Sequence, residues 1–455
     1  MKVKTIFSCK ECGAESTKWV GKCPKCQAWS TIEQIEVKEY KENKSRAVGY
    51  AGSMPAEVTK LKDIAVTEHM RVSLQCSEFD RVLGGGLVAG SVIMLGGDPG
   101  IGKTTLLLQS LSVLAQNELN VLYVTGEESL DQIALRASQI KLSSHNMYLL
   151  AENHVEKIID KAVAKLPTVM VIDSIQTVYT SEVSAAPGCV SQVRESAMRL
   201  VQYAKKSGVV IFLVGHVTKE GALAGPRVLE HMVDTVLYFE GDKNSKLRMI
   251  RSIKNRFGAA SELGVFAMTD TGLKAVSNPS SIFLTKQKQV VAGCVVMIVW
   301  EGTRPLLLEL QALLDDSSSA STGARRLTLG VDSNRVSMML ALIHRYLGMN
   351  IHSQDIFINV VGGIKVMETS VDLALVAAII SSYKDRPIAR DTVIFGELGL
   401  GGEVRPVPFG QVRIIEAVKH GFKKIIVPAA NMPKAAIPNI EVIAVNNIKE
   451  LLEHI

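Results

Sequence analysis

Residues 97–104 read GDPGIGKT, so Gly97, Asp98, Pro99, Gly100, Ile101, Gly102, Lys103 and Thr104 stand in the spacing of a phosphate-binding loop. Glycines leave room for backbone N–H groups to face a phosphate chain where a helix begins. In that arrangement Lys103 reaches the β- and γ-phosphates, and the Thr104 hydroxyl oxygen is offered to Mg²⁺. ATP with Mg²⁺ is therefore the expected ligand. Further polar residues end apolar runs: Glu127 and Glu128 in VLYVTGEES, Asp173 in TVMVIDSIQTV, and His216 in VVIFLVGHVTKEG. Catalytic groups of α/β sheets gather at the carboxyl ends of strands. Asp173 is expected to complete the Mg²⁺ shell, Glu127 to orient or deprotonate the attacking water, and His216 to sense the γ-phosphate. Glu128 reads either as a second water-orienting group or as a helix-start acid favoured by the dipole.

Two further clusters stand apart from this set. Cys9, Cys12, Cys23 and Cys26 form two Cys-x2-Cys pairs separated by ten residues. Four thiolates so spaced close a tetrahedron around Zn²⁺, and so short a module draws its folding energy from the metal. Its partner is left open between nucleic acid and protein. The second cluster is KNRFG, with Lys254, Asn255, Arg256, Phe257 and Gly258 directly after a strand-like segment, LRMIRSIK. Arginine binds phosphate as a planar fork and lysine as a point charge. Phe257 reads as core or as a base-stacking surface.

Positioning these residues requires strands that end at them. Val92–Leu95 is a buried strand, and LLLQSLSVLA carries the helix after the loop. Residues 36–58 are charged and small with little apolar period, which predicts a linker. The segments TSEVSAAPGCVSQ and TKEGALAGPRVLEH read as loops on one face of the sheet. From about residue 285, strands (VVAGCVVMIVW, PLLLELQALL, DIFINVVGG), helices (VSMMLALIHRYLG, SVDLALVAAIISSY), a hairpin (TVIFGELGLGGEVRPV) and a helix–strand unit (GQVRIIEAVKHGFKKIIVP) give an α+β pattern. SSSASTGARRLTLGVD reads there as a Ser- and Arg-rich loop.

The zinc knuckle, GDPGIGKTT, GEES, VIDSIQT, GHVTKEG and KNRFG, in this order, resemble the bacterial RadA (Sms) family of RecA-like ATPases over essentially the whole chain. The resemblance implies a DNA-dependent ATPase of recombination and DNA repair. It implies a homo-hexameric ring loaded on single-stranded and branched DNA, driving branch migration at joints made by RecA. Lys254 and Arg256 would then act on DNA or on a neighbour's nucleotide. The expected organisation is a four-cysteine zinc finger (1–35), the linker (36–58), a RecA-like P-loop ATPase (59–284) and a Lon-protease-like, S5-like α+β domain (285–455).

Lon-type peptidases use a Ser–Lys dyad, whose positions fall here on Val371 and Gln411. Ser370 is one residue away, and Arg413 stays protonated and is no base. The C-terminal domain is therefore expected not to cleave peptides. Lys365, Arg325 and Arg326 are candidates for a DNA-facing surface. An ATP-dependent protease and a RecA-fold signalling ATPase are the alternative readings.

At 455 residues the chain exceeds one ordinary core, and 47% hydrophobic with 21% charged residues is the balance of a soluble globular protein. The net charge is +6, and the first 50 residues hold ten Lys/Arg against six Asp/Glu, a weak pull toward an anionic partner. No secretory apolar run opens the chain, and no stretch reaches the roughly 18–20 apolar residues of a bilayer span. Four of seven cysteines crowd into the first 26 residues, which argues against a disulfide framework and for a reducing cytoplasm without a membrane partner.

Overall fold

The structure, a computed structural model, describes residues 2–16, 18–39, 60, 70–142, 146–216, 227–241, 246–284, 290–316 and 324–455. The chain divides into two compact units, Met1–Ser277 and Asn278–Ile455. The division falls a few residues before the expected boundary, because the short helix Ser280–Phe283 packs into the second unit. There Ser280 Oγ accepts from Leu307 N at 3.2 Å. Most of the expected linker, and most of TKEGALAGPR, lie outside the described residues. No helix among the described residues is long and apolar enough to cross a membrane.

The first unit begins with a small sheet in which β1 (Lys2–Cys9) pairs antiparallel with β2 (Glu15–Ser16) and β3 (Ile32–Glu39). β3 runs past residue 36, so the expected linker starts inside a strand that pairs with the N-terminal segment. After it, α1 (Ser77–Leu83) leads to β4 (Val92–Gly97), α2 (Lys103–Gln116), β5 (Val121–Thr125), α3 (Leu130–Gln139), β6 (Met147–Ala151), α4 (Val155–Lys165), β7 (Val169–Asp173), α5 (Val190–Ser207) and β8 (Val210–His216). β9 (Thr235–Glu240), β10 (Leu247–Asn255), β11 (Leu263–Thr269) and β12 (Gly272–Ala275) complete a nine-stranded sheet of order β12-β11-β10-β9-β4-β8-β7-β5-β6. The six strands from β9 to β6 are parallel, and β10 to β12 extend the sheet antiparallel.

β4 lies in the middle with all six residues buried. Its side chains alternate: Ile93 and Leu95 join the core on one face, and Val92 and Met94 join that on the other. Both faces are covered by apolar helix faces, which is why parallel strands read as unbroken apolar runs. The carboxyl ends of β4, β5, β7 and β8 therefore converge at one edge of the sheet.

The second unit holds β13 (Cys294–Glu301), β14 (Arg304–Asp316), β15 (Arg326–Leu329), α6 (Ser333–Leu347), β16 (Gln354–Val360), α7 (Asp372–Tyr383), β17 (Thr392–Ile394), α8 (Gly410–Lys419), β18 (Lys424–Pro428) and β19 (Glu441–Val445). Its sheet runs β15-β16-β14-β13-β17-β18-β19. α7 is buried almost all round, as its unbroken LALVAAIIS demands. Two expectations change here. The Ser- and Arg-rich loop contains edge strand β15, because RLTL alternates and pairs in parallel with β16. The hairpin expected in TVIFGELGLGGEVRPV shrinks to Glu397–Leu398 against Val404–Arg405, since Thr392–Ile394 pairs in parallel with β13 and β18 instead.

Candidate functional site

The turn after β4 needs glycine at its first position: a Cβ on Gly97 would lie 2.8 Å from Phe239 Cβ and 2.9 Å from its carbonyl oxygen. The loop then turns into α2 at Gly102, and Lys103 points back over it. Its ammonium donates to the carbonyls of Gly97 (2.6 Å) and Asp98 (2.9 Å) and reaches His216 Nδ1 at 3.4 Å. Burial pulls its pKa below the ordinary lysine range. A polyphosphate would offer the same ammonium charged oxygens in place of two neutral carbonyls.

Thr104 Oγ1 donates to Asp173 Oδ2 at 2.9 Å, so the hydroxyl and carboxylate expected to share Mg²⁺ already touch. A hydroxyl beside a carboxylate at the mouth of a phosphate loop is a hard-oxygen donor set of the kind Mg²⁺ takes. The strand ends bring Glu127 and His216 together as well. With Lys103 donating to Nδ1, the imidazole proton sits on Nε2, which lies 3.0 and 3.2 Å from the Glu127 carboxylate oxygens. Ser174 Oγ also donates to Glu127. The hydrogen bond from His216 foremost, helped by Ser174, holds Glu127 below the usual carboxylate range against its partial burial. Glu128 takes the helix-start role: its Oε1 pairs with Arg136 of α3 at 2.8 Å, while Ser129 and Gln132 form the capping box.

Sequence reasoning missed three neighbours. Tyr123, fully buried in β5, donates its phenol to Asp173, and burial with that carboxylate pushes its pKa well up, so it remains a proton donor. Ser174 is buried and follows Asp173 directly. Arg248 of β10, 6% exposed, donates Nε to the Ile101 carbonyl at 3.1 Å and so braces the phosphate loop. A tyrosine in a strand and an arginine in LRMIRSIK carry no spacing signal. Strand order alone brings them to the site.

KNRFG lies at the other end of the sheet. Asn255 pairs with Thr235, which pairs with Ile93 near the start of β4, whereas Gly97 pairs with Phe239. Lys254 Nζ donates to the carbonyls of Glu230 (2.6 Å) and Val233 (2.8 Å). Arg256, more than half exposed, stands 3.7 Å from Asp234 Oδ1. Asp234 is buried, and its other oxygen accepts from Val92 N (3.0 Å) and Lys205 Nζ (2.6 Å). Asn255 Oδ1 accepts from Phe257 N at 3.0 Å and fixes the turn. Phe257 is half-buried, and Gly258 meets Gly84 so closely that a Cβ would lie 2.6 Å from Gly84 Cα.

In the N-terminal module the four cysteine sulfurs all lie within 4.8 Å of one another, with Cys9–Cys26 at 3.5 Å and Cys12–Cys23 at 3.6 Å. A tetrahedron with Zn–S of about 2.3 Å has edges of about 3.8 Å, so the cluster fits Zn²⁺. Each Cys-x2-Cys pair closes the same turn: Gly13 N donates to the Cys9 carbonyl and Gln27 N to the Cys23 carbonyl, both at 2.9 Å. The residue after each pair has a left-handed backbone, φ 67° at Gly13 and 60° at Gln27.

In the second unit, Val371 is buried and Gln411 exposed at the positions matched to the dyad. Ser370 Oγ donates to Glu368 Oε2 at 2.8 Å, and Glu368 is itself ion-paired with the fully buried Arg413. Arg413 also donates to the carbonyls of Ile298 (2.9 Å) and Pro408 (3.0 Å). A guanidinium thus occupies the place a neutral base would need. Arg325, Arg326 and Lys365, expected on a DNA-facing surface, are all exposed, and Arg325 is also paired with the buried Asp355 at 2.8 Å.

Residues 7–34 match the family described as a rubredoxin metal binding domain, residues 56–222 an AAA domain, and residues 330–431 subunit ChlI of Mg-chelatase. Along its whole length the chain is similar to proteins named DNA repair protein RadA. Identity is 55% over 452 residues to that of Pseudomonas aeruginosa, covering 99% of both chains. It is 52% over 452 residues to that of Escherichia coli K12, covering 99% of this chain and 98% of the relative. It is 45% over 452 residues to that of Bacillus subtilis, again covering 99% and 98%. The expected order of zinc knuckle, P-loop ATPase domain and Lon-like domain stands, and the four cysteines form a zinc-ribbon cluster suited to a structural zinc ion.

Proposed function

The chain belongs to the RadA family of DNA repair proteins, and we propose that it is a DNA-dependent ATPase motor. It would work as a hexameric ring on single-stranded and branched DNA, moving branch points at joints made by RecA. The observation that carries this reading is the placement of KNRFG. It lies at the far end of the sheet from its own phosphate loop, yet its two cations hold the residues that lead into β9, the strand beside the phosphate-loop strand. Arg256 meets Asp234, which holds the N–H of Val92 at the base of the phosphate-loop strand. Lys254 holds the carbonyls of Glu230 and Val233, just ahead of β9.

The hydrolytic steps follow from the chain's own groups. Lys103 leaves the Gly97 and Asp98 carbonyls for the β- and γ-phosphates. Glu127, kept ionised and oriented by His216 and Ser174, holds the attacking water in line. Thr104 and Asp173 would hold Mg²⁺, which supplies charge neutralisation at the phosphates when bound. Loss of the γ-phosphate removes one of the two phosphate partners of Lys103, which weakens its hold and shifts it back toward His216. On this reading KNRFG acts on DNA or on a neighbour's nucleotide and does not serve its own.

ATP hydrolysis with and without single-stranded DNA tests the reading in wild type, Lys103→Ala, Lys254→Ala and Arg256→Ala. Lys103→Ala is expected to be inactive under both conditions. Lys254→Ala and Arg256→Ala are expected to keep basal hydrolysis and lose DNA stimulation. If they bind DNA but lose basal hydrolysis, KNRFG serves a neighbour's nucleotide. If DNA does not stimulate the wild type, the motor reading fails and a signalling ATPase replaces it.

A further inference from the structure

The zinc ribbon exposes two of the three tryptophans of the chain, Trp19 at 64% and Trp29 at 71%, although large aromatic rings normally seek burial. The module has a reason to hold them outward. Trp29 sits at the end of the second cysteine turn, where the Lys22–Trp29 bridge and the Ser30 N to Gly21 O hydrogen bond of 2.9 Å fix its backbone. Trp19 comes in from the other side of Gly21. A Cβ added at Gly21 would lie 3.7 Å from Trp19 Cη2 and 3.9 Å from Trp29 Cζ3. Both indole edges thus converge on a residue without a side chain, leaving a notch between two aromatic plates.

The chain segment that carries both tryptophans has charge of one sign. Residues 16–32, STKWVGKCPKCQAWSTI, contain Lys18, Lys22 and Lys25 and no carboxylate. All three lysines are exposed, and Lys22 Nζ lies 5.7 Å from the Trp29 ring centroid. In the same module the lysine on the other side of the first cysteine turn, Lys10, is neutralised by Glu33 at 3.4 Å. Exposed aromatic rings in a lysine-bearing segment, with one lysine already beside a ring, suit flat π-faced groups joined by phosphates.

We propose that Trp19 and Trp29, with Lys18, Lys22 and Lys25, form a stacking platform for single-stranded nucleic acid on the zinc ribbon, separate from KNRFG. Bases stack on the indoles and the lysines take the adjoining phosphates. This extends the DNA reading above and rests on it. Such a platform tolerates any sequence, because every base has a π-face.

The test uses full-length, zinc-loaded protein and a fluorescein-labelled oligothymidylate at fixed salt. Trp19→Ala and Trp29→Ala are each expected to weaken binding about tenfold, the scale of one lost base–aromatic stack. Zinc content and ATP binding should stay at wild-type level. Trp19→Phe and Trp29→Phe should restore most of the affinity. An independent measurement needs no change in the ribbon. In Trp300→Phe protein only the ribbon tryptophans emit, and oligothymidylate should quench them. If the wild type binds the oligonucleotide while the alanine variants bind equally well and emission is unquenched, the platform is overturned and the tryptophans belong to a protein-facing surface. If the wild type does not bind at all, the DNA reading falls with it.

Discussion

At the residue scale the site is a short relay, Lys103–His216–Glu127–Ser174, with Tyr123 and Thr104 converging on Asp173. The phosphate loop, Asp173, Glu127 and His216 were legible because strand ends and loop spacing mark them. Tyr123 and Ser174 were not, because their roles exist only once neighbouring strands are in register. Replacing His216 by alanine removes the main cause of the depressed Glu127 pKa. The Glu127 carboxyl should then titrate closer to its ordinary range. A depressed pKa means the ionised form is favoured above the ordinary value and that this advantage is lost as pH falls through the lower folded value. In His216→Ala the acid limb of kcat against pH should therefore move upward, with kcat itself down about 100-fold or more. An acid limb in the wild-type position would show that the histidine does not set Glu127. Tyr123→Phe deletes one donor to a shared carboxylate, so unfolding in urea should cost about 1–2 kcal/mol less. The Mg²⁺ concentration for half-maximal hydrolysis should rise.

At the scale of elements, the sheet explains why KNRFG is remote from its own phosphate loop yet joined to it. The parallel order places β9 beside β4, and the antiparallel return through β10 delivers residues 254–258 to the amino end of β4. The motif was legible, but its side of the sheet was not, since a strand assignment gives no neighbour. Its position depends on the contact between Gly258 and Gly84, the residue that ends α1 with φ 82°. Gly258→Ala puts a methyl 2.6 Å from backbone, which cannot rotate away. A lowered denaturation midpoint, worth about 1–3 kcal/mol, is expected with ATP binding intact. Asp234→Ala should cost more, about 3–5 kcal/mol, because it strands the Lys205 ammonium and a buried N–H at once. Wild-type stability in either variant would mean that the motif is held by other contacts.

At the scale of the whole molecule, the proposed ring needs a surface that joins subunits, and the second unit offers one. Leu313, Phe357 and Leu327 stand in one row across β14, β16 and edge strand β15, and Leu329 follows along the same edge. Leu313, Leu327 and Leu329 are 59%, 54% and 55% exposed, so a band of apolar side chains faces outward beside a strand that has one side unpaired among the described residues. The charge of β15 sits at one end, on Arg326, so the exposed leucine band beyond it is best explained as covered in the assembly. β15 itself was hidden in a Ser- and Arg-rich segment, because a four-residue strand needs its partner to define it. Leu327→Lys with Leu329→Lys adds two like charges to that band without touching the core. Light scattering should then report species smaller than the wild type, as should deletion of residues 278–455. The melting temperature of the doubly substituted protein at equal subunit concentration should fall only by the share that assembly contributes. A full-sized assembly after the double substitution would move the subunit contacts elsewhere. Loss of assembly with basal hydrolysis intact would confine each nucleotide site to its own subunit. Loss of both together would mean that a neighbour completes the site, the outcome in which Lys254 and Arg256 act across the interface.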